Sequence, residues 1–412
     1  MNEILLLTDA LTLPLPFGDR AIPALVYDYS RKLTTLEDVF FLLCEVRRVL
    51  QPDGIARFVI SNTGEQGDVN IPHLAKVVGL KLLSDSTLED EKDSDTPTFS
   101  IPQPDETYID FRKPERRVFG CPLVSLLIPA YSPRFFEKSL ESAIAQTYEN
   151  MEIIVCDDSS GLEIEEITRR LGRIRPLRYE RNPTRLKGRG NYKKCFELAT
   201  GEFIKYLNDD DILVPDCVER LLDAFRQAPD IVLATSYRER IDEAGNRLPD
   251  QPATRPIVDH DMYINGLSLA NVMLMAGLNV VGEPSTTLFR RTDLLDSKPD
   301  YFGFDGVVGS GVIDMSMWST VLLRGDAVYL CDGLSRFRIH PGQLQRDPEI
   351  RQVTVQGIRN LQGVWLRLGL DRRFRRDILS VRPFPCVEDT LWLSQPFLPG
   401  RLSPPIQRWR FY

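Results

Sequence analysis

The 412 residues allow two or three domains, and an apolar content of 42% is ample for sizeable cores. With 51 basic against 59 acidic residues the formal net charge is −8, which excludes a nucleic-acid scaffold held by phosphate contacts; no nucleic-acid partner is expected. Seven cysteines, at 44, 121, 156, 195, 217, 331 and 386, form no CxxC pair and no zinc spacing, so reduced thiols are expected.

The start, Met1-Asn2-Glu3-Ile4, lacks a cationic n-region, and no apolar run approaches the roughly 20 residues of a bilayer span, so a cytoplasmic protein is expected. From Leu36 to Leu50, Val39, Leu42, Leu43, Val46 and Leu50 repeat at helical spacing. Gln51-Pro52-Asp53-Gly54 predicts a turn into a strand, Ile55 to Ile60. "EVRRVLQPDGIARFVI" resembles the later part of class I methyltransferases, and "HLAKVVGLKLL" (His73 to Leu83) is similar to that fold's closing helix and strand. The family's glycine loop is missing, since Gly18 is the only glycine before Leu36. Residues 1–85 are therefore expected to be a truncated methyltransferase-like α/β module without a complete methyl-donor site. Residues 86–116, rich in charge, Ser, Thr and Pro, predict a linker.

From residue 117 the pattern changes. Leu123 to Pro129 reads as a buried strand, Phe136, Leu140, Ala143 and Ile144 mark one face of a helix, and Met151 to Cys156 reads as a second strand ending at Asp157-Asp158. Alternation of this kind predicts βαβ units and a parallel sheet. Asp158 or Ser159 could cap the helix through Ile164 or serve a ligand. Phe203 to Leu207 reads as a third strand, and Asn208-Asp209-Asp210-Asp211 follow it. Adjacent carboxylates repel, so such a run stays in water or takes a cation, and hard oxygen ligands suit Mg²⁺ or Mn²⁺ with a phosphorylated ligand. The competing reading is a solvated turn with Asp216 capping the next helix. Lys187-Gly188-Arg189-Gly190 offers backbone N–H groups and two cations to an anion, or is an exposed basic turn.

Together these stretches resemble glycosyltransferase family 2, inverting enzymes with a GT-A fold. "VSLLIPAY", "EIIVCDDSS" and "GEFIKYLNDDD" are similar to its first strand, its nucleotide-binding strand and its D-x-D strand. "GEPSTTLFRR", "GVIDMSMWSTVLLRG" and "SRFRIHPGQL" resemble its acceptor segment, catalytic acid region and closing loop. The resemblance implies an α/β fold with a mixed, mainly parallel GT-A sheet flanked by helices over 117–345, followed by a C-terminal helical extension and tail over 346–412. It implies nucleotide contacts from Pro129, Ala130, Tyr131, Asp157, Asp158, Asn182, Lys187, Asn191 and Asp209. It implies a divalent ion, Mg²⁺ or Mn²⁺, at Asp209, Asp210, Asp211 and His340, with Asp210 the principal ligand. Asn208 stands where the family more often has an acid, so the D-x-D register is open between Asp209 with Asp211 and Asn208 with Asp210.

Asp314 matches the family's general base, and helix capping is its competing role, because an apolar helix, Met315 to Leu323, follows it. The implied reaction moves a sugar from a nucleotide-diphospho-sugar donor to a hydroxyl of a glycan or lipid-linked acceptor. The alternative is a non-catalytic nucleotide-sugar-binding or assembly protein. Beyond Glu349 a helical pattern, Val353, Ile358, Leu361, Val364 and Leu368, leads to a basic, aromatic tail. That tail either packs on the domain or touches the inner face of an anionic membrane.

Overall fold

The computed structural model describes residues 4–7, 22–28, 36–61, 71–83, 106–113, 116, 118–295, 301–307, 311–343, 348–385 and 392–397. The acidic start of the expected linker and the tail after Phe397 lie outside these, as does Cys386. The chain divides into two compact units, one of residues up to Arg116 and one essentially of residues from Arg117.

In the first unit, strands β1 (Ile4–Leu7), β2 (Ile22–Asp28) and β3 (Leu50–Ser61) run parallel, and helix α1 (Leu36–Val49) connects the last two. Helix α2 (Ile71–Val77) leads to the short strand β4 (Lys81–Leu82). The predicted turn at 51–54 is present as a bulge: Ile22 pairs with Leu50 and Ala24 with Ile55, and Asp53 takes φ 58°. Lys113 closes this bulge by donating its backbone N–H to Gly54 (3.0 Å) and its Nζ to Leu50 O (2.9 Å). The linker expectation is corrected at its end. Glu106–Arg112 is a strand, β5, pairing antiparallel with both β3 and β4. Its anchor is Phe111, fully buried edge-on to Phe58 at 5.7 Å, a pairing between residues 53 positions apart that local composition does not announce.

The second unit is built on a twelve-stranded mixed sheet. Its parallel ladders are the longest. Strand β6 (Val124–Ala130) pairs with β7 (Met151–Asp157) and β9 (Phe203–Tyr206), β7 pairs with β8 (Arg178–Arg181), and β11 (Ile231–Ile241) pairs with β15 (Asp326–Arg338). β6 is buried at every position, so a continuous apolar run, not an alternating one, encodes it. Helix α3 (Pro133–Ile144) starts with Ser132 as cap and Pro133 in its first turn, and buries Phe136, Leu140 and Ala143. Helix α4 (Glu163–Leu171) follows β7, and helix α5 (Lys187–Leu198) precedes β9. Helix α6 (Cys217–Gln227) begins at Asp216, yet the Asp216 side chain makes no cap bond; Gln146 Oε1 accepts from Val218 N at 3.0 Å instead.

Strand β14 (Leu288–Arg290) joins β9 to β11 by antiparallel pairing. Helices α7 (Gly266–Ala276) and α8 (Arg291–Leu295) precede helix α9 (Ile313–Leu322), which is buried from Met315 to Leu322. Helix α10 (Pro348–Arg367) carries the predicted C-terminal pattern, and Leu361 and Val364 are buried. The C-terminal region is more than helical, because β16 (Ile378–Pro383) and β17 (Leu393–Pro396) extend the sheet antiparallel from β13 (Met262–Ile264). Among the described residues no helix is long and apolar enough to cross a membrane, and all described cysteines are free.

Phe203 is fully buried on β9, edge-on to Phe225 at 4.8 Å, under the guanidinium of Arg290. Phe203→Ala is expected to cost about 3–5 kcal/mol, read by urea unfolding, whereas Ile174→Ser, at an exposed position, should stay within about 0.5 kcal/mol.

Candidate functional site

Ala130 at the end of β6 pairs with Asp157 at the end of β7, while Leu127 pairs with Tyr206 at the end of β9. Because the three strands are parallel, the residues that follow them, Tyr131, Asp158 and Asn208 to Asp211, emerge at one edge of the sheet. That is the edge where open α/β sheets collect ligands.

The acid run is largely neutralised from within the protein. Asp209 Oδ2 accepts the backbone N–H groups of Tyr131 (2.6 Å) and Ser132 (2.7 Å) at the start of α3. Asp211 is buried and accepts from the Ser285 hydroxyl (2.6 Å), Asn208 Nδ2 (3.1 Å) and Arg338 N (3.1 Å). Burial and then the charge of Asp210 push the Asp209 carboxyl up to about 7 against those N–H donors. The same two causes raise Asp211 well above the usual carboxylate range. Beneath them Lys205, wholly buried, donates to the Ser285 carbonyl. Burial lowers the proton affinity of its ammonium, while the charges of Cys217 and Asp211 oppose the shift.

Asp210 is different. Its carboxylate is partly exposed, and among the described residues its one side-chain partner is His340, with Nε2 at 3.2 Å. The His340 ring leans on Phe135 at 5.0 Å between centroids, and its Nδ1 is buried without a hydrogen bond. Arg338 donates to the Asp210 carbonyl at 2.8 Å and lies over Phe135 at 4.6 Å. The structure thus brings Asp210 and His340 together and turns Asp209 and Asp211 to other partners. Among the described residues no three His, Cys, Asp or Glu side chains form a metal cage. One carboxylate with the imidazole Nε2 beside it fits Mg²⁺ or Mn²⁺ of the kind that completes its shell with phosphate oxygens and water.

Beside this lies a cavity of about 310 Å³ lined by Tyr131, Asp158, Ser159, Arg181, Asn182 and Arg185 among others. The Arg185 guanidinium sits 4.4 Å over the exposed Tyr131 ring. Of the first-strand residues only Tyr131 lines it; Pro129 and Ala130 are buried within β6. Asp158 does not cap α4, whose cap position is Leu162. It accepts instead from Leu186 N (2.7 Å), Lys187 N (2.8 Å) and Asn182 Nδ2 (2.9 Å), which ties down the start of α5. The Lys187-to-Gly190 stretch is the first turn of that helix, not a free loop, and Lys187 takes φ 61°. Asp157 is wholly buried and holds Tyr179 OH (2.6 Å) and Ser159 N (2.8 Å). Asn191 clamps two strand ends through Ala130 O (3.1 Å) and Cys156 O (3.0 Å), and accepts from Asn182.

Asp314 stands in the first turn of α9, two positions later in the helix than the cap position the sequence pattern suggests, because the helix starts at Ile313. Its Oδ1 accepts Met315 N at 2.8 Å and its Oδ2 accepts Asn279 Nδ2 at 2.7 Å. Burial, foremost, and the negative charge of Glu283 push its carboxyl up to about 6. Tyr192 links this acid to the run after β9. Its hydroxyl donates to Asn208 and is driven well above the usual range by burial and then by the charges of Asp211, Asp314, Asp210 and Asp209. Sequence reasoning passed over Tyr192, Ser285, Lys205, Asn279, Arg238 and Glu283. A lysine inside an otherwise apolar strand was the one local signal among them.

The glycosyl transferase family 2 model matches residues 125–294. An uncharacterized protein of Mycobacterium tuberculosis is 30% identical over 220 residues, 52% of this chain and 66% of that protein. An uncharacterized glycosyltransferase of Rickettsia prowazekii is 30% identical over 150 residues, 34% of this chain and 46% of its own length. The chain therefore spans between 46% and 66% of these relatives. Among solved structures, S. aureus TarS 1–349 in complex with UDP-GlcNAc has a TM-score of 0.45 at 15% identity, over 57% of this chain and 66% of that one. So slight a likeness carries no ligand across. The stretch that matches the glycosyl transferase family 2 model holds Tyr131, the Asp157–Asp158 pair, the two clamping asparagines and the Asn208–Asp211 run.

Proposed function

We propose that the chain is a metal-dependent, inverting glycosyltransferase. Its donor is a nucleotide-diphospho-sugar and its acceptor a hydroxyl of a glycan or lipid-linked molecule. The observation that carries this reading is the convergence of three parallel strand ends, where the Asn208–Asp211 run emerges beside a cavity lined by Tyr131 and Asp158. A metal-bearing acid and a nucleotide pocket belong at one such edge.

In this reading Tyr131 and Arg185 form the walls for the nucleobase, and the side chains of Arg181 and Lys187 face the anionic donor. Asp210 and His340 hold Mg²⁺ or Mn²⁺, which when bound offsets charge on the departing diphosphate. Asp314 takes the acceptor hydroxyl's proton as that oxygen attacks the anomeric carbon from the face opposite the diphosphate, so configuration inverts. A carboxyl near 6 suits a general base, being mostly ionised at neutral pH yet more basic than an ordinary aspartate. The unit up to Arg116, a partial methyltransferase-like module in this reading, serves as a docking or packing domain. The protein works in the cytoplasm, and its basic tail after Phe397 meets the membrane face when the acceptor is lipid-linked.

Incubation with a panel of sugar nucleotides and Mn²⁺ should release nucleoside diphosphate with one donor in preference to the rest. Asp314→Asn is expected to keep donor affinity within about twofold and to lose about 10²–10⁴ in turnover; near-normal transfer would remove Asp314 from the base role. Because the working form of Asp314 is the ionised one, kcat/KM should fall as pH drops through about 6, and a flat profile from pH 5 to 8 would contradict the assignment.

A further inference from the structure

The turn from Asn279 to Glu283 is fixed through its main chain by three side chains from two elements. Arg238 Nη2 on β11 donates to Asn279 O (2.9 Å), Thr235 Oγ1 on the same strand donates to Val281 O (2.7 Å), and Trp318 Nε1 on α9 donates to Gly282 O (2.9 Å). Within the turn Gly282 N donates to Asn279 Oδ1 at 3.0 Å, and Gly282 takes φ 119°, a conformation few residues other than glycine adopt. The side chain that opens this turn reaches Asp314, and the one that closes it is paired with Arg238. Asn279 Nδ2 donates to Asp314 Oδ2 at 2.7 Å, and the Glu283 carboxylate, 2.5 Å from Arg238 Nε, acts on the same acid through its charge.

We propose that Asn279 and Glu283 are positioning residues for Asp314: Asn279 holds the carboxylate's orientation through its hydrogen bond, and Glu283, fixed by Arg238 at the other end of the same turn, sets the charge around it. The inference rests on Asp314 being the base. The Asn279 amide closes the turn through Gly282 O (2.9 Å) and Gly282 N (3.0 Å) and also reaches an acid on a different element 35 positions away. A residue that only closed the turn would need no bond to Asp314. The charged and titratable groups acting on Asp314 are Glu283 and Arg238 from the turn and β11, with Tyr192 from α5 on its other side. The two positioning effects have opposite signs. A hydrogen bond to the ionised carboxylate lowers its proton affinity, and a neighbouring negative charge raises it.

The decisive experiment compares pH profiles of kcat/KM for the full chain, Asn279→Ala, Glu283→Gln and Asp314→Asn, with donor KM and thermal melting recorded for each. Asn279→Ala should move the acid limb to higher pH by roughly one unit and lower the plateau several-fold at unchanged donor KM. Glu283→Gln should move the limb to lower pH. Limbs that coincide with the parent's in both variants would overturn the inference while leaving Asp314 as base. If Asn279→Ala melts too low to assay, the direction of the Glu283→Gln shift decides, and a shift to higher pH overturns it. Full activity in Asp314→Asn would instead sink the underlying reading, so the two failures are distinguishable.

Discussion

Three carboxylates in succession at the edge of a buried sheet cannot be left to repel one another, and the fold is arranged around their disposal. Two ions at van der Waals distance interact by about 4 kcal/mol at an effective dielectric near 20, so each must find partners before the strand end can be stable. Asp209 is committed to the two N–H groups that open α3, and Asp211 to Ser285, Asn208 and the backbone of Arg338. Asp210, half-buried like Asp209, instead meets a histidine that arrives from the far end of β15. The strand end is thus also a joint: it ties the first helix, the 284–286 turn and the last residues of β15 into one frame.

This division of labour separates structure from chemistry within a single tetrapeptide. The two flanking aspartates define where the middle one points. Their raised proton affinities record how far burial and mutual repulsion outweigh their hydrogen bonds. Lys205 below and Arg338 beside the run supply positive charge without exposing it to a ligand. A similar economy governs Asp158, which lines the cavity while its oxygens hold the start of α5 through Leu186 N and Lys187 N.

Much of the frame was legible from local pattern. The apolar runs ending at Ala130, Asp157 and Tyr206 and the face of Phe136, Leu140 and Ala143 appear as strands and a helix because period and burial agree there. The acid run announced itself by charge. What could not be read was which acid would stay free, since that depends on donors 77 to 127 positions away, such as Ser132 and Arg338. The same holds for Glu106–Arg112, whose composition looked like linker until Phe111 found Phe58, and for the strands after Asp377 that complete the sheet. Pro129 and Ala130 match the family motif yet sit in the strand core, because a motif position is a backbone position first.

The central claim is that Asp210 alone among the three acids serves an external cation shared with a diphosphate. Calorimetric titration of the full chain with a nucleoside diphosphate, in Mn²⁺ and then in chelator, compared with Asp210→Asn, tests it most directly. Affinity in Mn²⁺ is predicted to exceed that in chelator by at least about tenfold, the scale of one lost charged contact, with no such gain in the variant. Equal affinity with and without Mn²⁺ in the parent, or an undiminished Mn²⁺ gain in Asp210→Asn, would contradict it.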